Sequence, residues 1–172
     1  LALGPTTLDV DTAKALAKCK CRWLIFNGLT TLDIDTAKAL AEFKGDSLWL
    51  DGLTTLDTET ARAIAEFRGG HELSLNGLTT LNGDTAKALT GFKGEELCLH
   101  GLTTLDADTA TALAQTKTWD GELPRLTTLS PDAAKALTKF KRSLELSGLT
   151  TLDADTAKAL AELKGERLQL SA

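Results

Sequence analysis

Cys98 and His100 stand two residues apart in Leu97-Cys98-Leu99-His100, so on a strand both side chains fall on one face. With Glu72 and Glu122 on the adjacent strands, these types could hold zinc or form a thiol–imidazole pair. No zinc-type ligand spacing accompanies them, and they read as unrelated surface residues. Cys19-x-Cys21 is a weaker pair, because Cys19 occupies the slot of Phe43 and Phe67 and is expected to pack in the core, while Cys21 stands where other copies have glycine. The repeated Asp-x-Asp, as in Asp33-Ile34-Asp35, has the residue types of a calcium site, but helix capping accounts for both acids and no EF-hand loop follows. With two histidines, no nucleophile–base pairing and no glycine-rich phosphate loop, the sequence predicts neither an enzyme nor a bound cofactor or metal.

What must position these residues is a repeat. Leu29-Thr30-Thr31-Leu32-Asp33 returns as Leu53-Thr54-Thr55-Leu56-Asp57 and as Leu102-Thr103-Thr104-Leu105-Asp106. The residue before each copy is Gly4, Gly28, Gly52, Gly77, Gly101, Arg125 or Gly148, spaced by 24, 24, 25, 24, 24 and 23 residues. Seven units follow, approximately 4–27, 28–51, 52–76, 77–100, 101–124, 125–147 and 148–172, within one domain.

Leu48-Trp49-Leu50, Leu73-Ser74-Leu75, Leu97-Cys98-Leu99, Leu144-Glu145-Leu146 and Leu168-Gln169-Leu170 alternate as strands with one buried face do. Leu24-Ile25-Phe26 and Gly121-Glu122-Leu123 are looser copies. A helix follows each turn, opened by a capping residue: Asp9, Asp33, Asp57, Asn82, Asp106, Ser130 or Asp153. Pro131 fits the first helical position behind Ser130, and an acid such as Asp35 complements each first turn. Ala37, Leu40 and Ala41 form one apolar stripe that Phe43 extends. Gly45, Gly69, Gly94 and Gly165 are expected to end helices in the left-handed conformation.

One unit buries too little surface to stand alone, so stacked copies must share a core between a parallel sheet and a helical layer. The predicted fold is therefore α/β, a right-handed curved solenoid with strands on the concave face and short helices on the convex face. The chain is 42% apolar and 25% charged, which suits a folded domain, and its longest apolar runs are too short to span a membrane. A formal charge of -5, with Lys and Arg spread singly, argues against nucleic acid and mildly favours a basic protein partner.

The xxLxLxxxL pattern followed by a short helix resembles the leucine-rich repeat family across essentially the whole chain, and the Leu-Thr-Thr-Leu-Asp-x-Asp-Thr-Ala-Lys-Ala-Leu wording looks like bacterial repeats. The resemblance implies binding through the concave sheet face. It departs where the family places an asparagine: Leu53 stands three residues beyond Leu50, and Leu29, Leu78, Leu102, Leu126 and Leu149 correspond. No asparagine ladder is expected, and threonine pairs such as Thr30-Thr31 and Thr54-Thr55 are expected to supply the missing bonds.

Strand alternation places three variable columns on the sheet face away from the leucines. Trp23, Ile25 and Trp49 form an aromatic patch, and Glu72, Glu96, Asp120, Glu122 and Glu145 an acidic one, with Asp51 beside the first. These nine are the candidate partner-binding residues. Trp119 is expected to fold inward and fill the void where Thr116 and Gly121 replace larger residues. The first copy is ragged at Leu3, and neither end carries a polar cap, so self-association through open ends, a structural cell-envelope role and recognition of a polysaccharide-like surface by stacked threonines are the alternatives.

Overall fold

The structure, a computed structural model, describes residues 4–170; the entry strand expected to be irregular at Leu3 and the column position at Ser171 lie outside the described residues. Among the described residues seven helices alternate with short strands, except that α6 follows α5 directly: α1 (Val10–Leu16), β1 (Trp23–Ile25), α2 (Ile34–Ala41), β2 (Ser47–Trp49), α3 (Thr58–Ile64), β3 (Glu72–Ser74), α4 (Gly83–Leu89), β4 (Glu96–Cys98), α5 (Ala107–Gln115), α6 (Pro131–Leu137), β5 (Leu144–Glu145), α7 (Ala154–Leu160) and β6 (Leu168–Gln169). β1 to β4 form a parallel sheet in sequence order, and β5 pairs with β6 in a second one. Adjacent helices pack in the same order, α1 on α2 through α6 on α7.

All seven expected residues cap their helices. Asp33 is typical: one carboxylate oxygen accepts from the amides of Asp35 and Thr36 at 3.0 and 2.9 Å, and the other accepts the Thr36 hydroxyl at 2.8 Å. Each acceptor satisfies a donor that the first helical turn leaves without an intrahelical partner.

The helix ends differ from expectation. The C-caps of α2 and α3 are Glu42 and Ala65 in right-handed conformation, and among the described residues Gly121 alone has positive φ. Gly45 is there for space: a Cβ would stand 2.7 Å from the carbonyl oxygens of Cys21 and Arg22 and collide with the Phe43 ring. Close stacking of successive loops, not backbone handedness, requires glycine.

One hydrophobic cluster runs from Ala13 to Leu160. Leu48, Leu73, Leu97 and Leu144, with Leu50, Leu75, Leu99 and Leu146 two residues on, are fully buried. Each stabilises the fold by about 2 kcal/mol through removal of its side chain from water. Behind them Phe43, Phe67 and Phe92 stack with ring centroids 6.1 and 6.2 Å apart. Cys19 does not continue this row as expected. It is exposed and joined to Cys21 by a disulfide.

The fifth repeat breaks the pattern. Trp119, fully buried, pairs with Leu97 in an isolated bridge and packs on Phe140 with centroids 4.7 Å apart, filling the space as expected. It thereby takes the first leucine's place, which the sequence had assigned to Gly121. Gly121 instead turns the chain at φ 87°, and the next bridge joins Glu122 to Glu145. These two bridges replace a fifth full strand between the two sheets.

Candidate functional site

The strand register aligns Trp23 with Ser47, Ile25 with Trp49, Ser47 with Glu72, and Glu72 with Glu96. Because the leucines of these strands enter the core, the intervening side chains share the opposite face of the sheet. Trp23 is 56% and Ile25 45% exposed, making two large apolar groups bare on one strand. The Arg22 guanidinium lies 5.7 Å from the centroid of the Trp23 ring. Trp49 is half-buried, and its indole N–H donates to Glu72 Oε2 at 2.9 Å.

Of the five acids, Glu72, Glu145 and Asp120 are engaged with neighbouring side chains. Glu72 Oε1 accepts from the Cys98 thiol at 3.4 Å, and Glu145 accepts the Ser147 hydroxyl at 3.0 Å. The Asp120 side chain is only 5% exposed and its Oδ2 lies 2.6 Å from His100 Nε2. Glu96 is half-buried beside Glu72, and Glu122 is the most open of the five. Partial burial, then the charge of Asp120, raises the Glu122 carboxyl above its ordinary value.

Cys98 and His100, read from the sequence as unrelated surface residues, belong to one cluster. Cys98 is 4% exposed, and its sulfur, a His100 ring nitrogen and an Asp120 oxygen all lie within 4.8 Å of one another. The reason is the displaced fifth repeat, which brings Asp120 alongside β4 two residues earlier than the regular period would. Burial, followed by the charges of Asp120 and Glu72, pushes the Cys98 thiol up and holds it protonated. That environment disfavours a thiolate nucleophile. The hydrogen bond that His100 donates to Asp120 raises the imidazole above its ordinary value, against an opposing contribution from burial.

Asp51 serves the backbone. Its Oδ1 accepts from the Asn76 amide at 2.9 Å and the Ser74 hydroxyl at 2.6 Å, and Asn76 Oδ1 in turn accepts from the His100 amide at 2.8 Å. A side-chain-to-amide ladder thus exists, one residue after the last strand leucine, where the sequence suggested none. Threonines add to it: the hydroxyls of Thr30, Thr103 and Thr150 donate to the carbonyls of Thr6, Thr79 and Thr127 at 3.3, 3.1 and 3.2 Å. The buried Thr36, Thr109 and Thr156, one turn into their helices, reach the carbonyls of Leu8, Leu81 and Leu129. Sequence reasoning missed this second set, although the recurring Asp-x-x-Thr spacing marks it.

Cations that stand singly in the sequence are not scattered in space. Lys44, Arg68, Lys93, Lys117, Lys141 and Lys164 recur one residue after the core slot and are all exposed. Their loops stack through backbone bonds such as His71 N–H to Asp46 O and Glu95 N–H to His71 O. The row follows the C-terminal ends of the helices, where positive charge complements the helix dipole. No family model matches the chain, and no curated protein sequence matches it.

Proposed function

We propose that the chain is a leucine-rich-repeat solenoid, right-handed and horseshoe-like, whose concave sheet face binds another protein through a basic, apolar-tipped segment. The observation that carries this reading is the pair Trp23 and Ile25, bare on the outward face of one strand and followed across the sheet by Glu72, Glu96, Glu122 and Glu145. An exposed indole beside a carboxylate-rich face suits a partner that inserts an apolar side chain and lays cations along the strands. Binding rather than catalysis is favoured because burial and the neighbouring carboxylates hold the Cys98 thiol in its protonated, less nucleophilic form.

The test is a peptide array of basic sequences with and without a leading apolar residue, probed with the whole chain. Binding is expected to need both features, to weaken with salt, and to fall at least tenfold in Trp23→Ala. Capture that is insensitive to salt and to Trp23→Ala would overturn the reading.

A second reading draws on the threonines. Thr31, Thr55, Thr80, Thr104, Thr128 and Thr151, the second of each pair, are exposed at one position per repeat. Such a row suits a repeating hydroxylated surface such as a polysaccharide. Retention on an insoluble polysaccharide that is lost on Thr80→Val and Thr104→Val, with Trp23→Ala retained, would favour it. Light scattering separates both from the alternative of a self-assembling envelope protein, which predicts growth of particle size with concentration.

A further inference from the structure

We propose that Cys98, His100, Asp120 and Glu72 form a zinc site that ties the third, fourth and fifth repeats together where the sheet is interrupted. The donor set is one sulfur, one imidazole nitrogen and two carboxylates, which suits zinc among the common divalent ions.

Two independent features support a built site. The first is placement: β4 supplies Cys98 and projects His100 two residues on, β3 supplies Glu72 from the preceding strand, and the Gly121 turn brings in Asp120 from the following repeat. The second is the way each carboxylate is held. Glu72 gives Oε2 to the Trp49 indole N–H and leaves Oε1 beside the Cys98 sulfur. Asp120 gives Oδ1 to the Glu122 amide and turns Oδ2 to His100 Nε2. In both, an outer donor fixes one oxygen so that the other faces the cluster, which is how outer hydrogen bonds orient metal ligands.

Within the Cys98, His100 and Asp120 cluster the ligand atoms need little movement, while Glu72, which of the three touches Cys98 alone, must close on the other two. Zinc bonds of roughly 2.0–2.3 Å place tetrahedral ligand atoms roughly 3.3–3.8 Å apart. Cys98 Sγ and Glu72 Oε1 are already 3.4 Å apart, and the three-residue cluster spans at most 4.8 Å. His100 Nε2 and Asp120 Oδ2, now 2.6 Å apart, would separate as the ion replaces the proton they share. On binding, the Cys98 S–H bond breaks and the proton between His100 Nε2 and Asp120 Oδ2 leaves, the imidazole carrying its remaining proton at Nδ1; the released protons pass to solvent as the S–Zn and N–Zn bonds form, with no change of oxidation state. The dication offsets two of the four negative charges that Glu72, Asp120, the adjoining Glu122 and the Cys98 thiolate bring together; Glu122 Oε2 lies 3.6 Å from His100 Nε2. The site shares Glu72, Asp120 and the adjoining Glu122 with the acidic face, and its test reads metal rather than partner binding.

The experiment titrates the chelator-treated whole chain with zinc, and separately with cobalt(II), in a Cys19→Ser/Cys21→Ser background so that Cys98 is its one thiol. One equivalent of zinc should bind with a rise in melting temperature, and cobalt should produce a thiolate-to-metal charge-transfer band. Cys98→Ser and His100→Gln should each abolish the band and weaken zinc binding at least a hundredfold, while His71→Gln, at the other histidine, leaves both unchanged. The cobalt titration is repeated on the parent chain, so absence of the band there overturns the proposal whether or not the variants fold. Zinc binding that survives both Cys98→Ser and His100→Gln overturns it as well.

Discussion

The indole N–H of Trp49 on β2 donates to Glu72 Oε2 on β3 at 2.9 Å, tying the aromatic patch to the acidic one. A half-buried ring that anchors a carboxylate is part of the scaffold as well as part of a binding face. Trp49→Phe and Glu72→Gln should therefore couple in stability. A double-mutant cycle in urea is expected to give an interaction of ~1 kcal/mol, the value of one partly solvated bond to a charged acceptor. A cycle that sums to zero would mean the bond contributes nothing. Trp23, without such a bond, is the cleaner probe of partner binding.

The ladder through Asp51 and Asn76 predicts a contrast between polar residues. Asp51→Ala leaves the Asn76 amide and the Ser74 hydroxyl without their acceptor, and Asn76→Ala does the same to the His100 amide. Each should cost about 1–2 kcal/mol. Thr80→Ala, at an exposed position, should stay within about 0.5 kcal/mol. Chemical denaturation of the three variants checks the order.

That contrast also shows what could be read from the residues alone. The caps, the leucine faces and the inward Trp119 were legible because each follows from a local rule: a side-chain oxygen at a helix start, a period of two, a void beside a large ring. The ladder was not, since Asp51 and Asn76 differ in type and gain their role only from the residue one repeat away. Gly45 looked like a helix stop because its sequence context matches one, whereas its function is set by the carbonyls of the preceding loop. Cys98, His100 and Asp120 were separated for the same reason: the period predicts where Asp120 should lie, and the fifth repeat departs from the period.

The aspartate caps make stability depend on acid. The amide of Thr36, then its hydroxyl, holds the Asp33 carboxyl below its ordinary value of 3.8, and the Thr60 hydroxyl does the same for Asp57. A depressed folded value means the stabilisation is complete above the ordinary carboxylate value and disappears as pH falls through the folded one. Asp33→Asn keeps an acceptor for the Asp35 and Thr36 amides but does not titrate. Melting temperature should therefore decline less steeply below pH 3.8 in Asp33→Asn than in the parent chain. Parallel curves for the two proteins would count against the caps as a source of acid sensitivity.

Trp119 and Gly121 flank Asp120 and act on it differently, which separates packing from placement. Trp119→Ala empties a fully buried site and should cost ~3–5 kcal/mol. Gly121→Ala forces a side chain into φ 87° with its Cβ against the Ser143 carbonyl oxygen and 2.6 Å from Phe140 Cε1, and should cost more than the ~1–3 kcal/mol of the backbone strain alone. Only the second change acts on the turn that aims Asp120 at His100. At matched stability, adjusted with a mild denaturant, Gly121→Ala should lose more zinc affinity than Trp119→Ala, and both should lose more than Trp23→Ala. Equal zinc affinity in Gly121→Ala and the parent chain would mean that the fifth-repeat turn does not place the ligand, because a turn that aims a ligand cannot be strained without moving it.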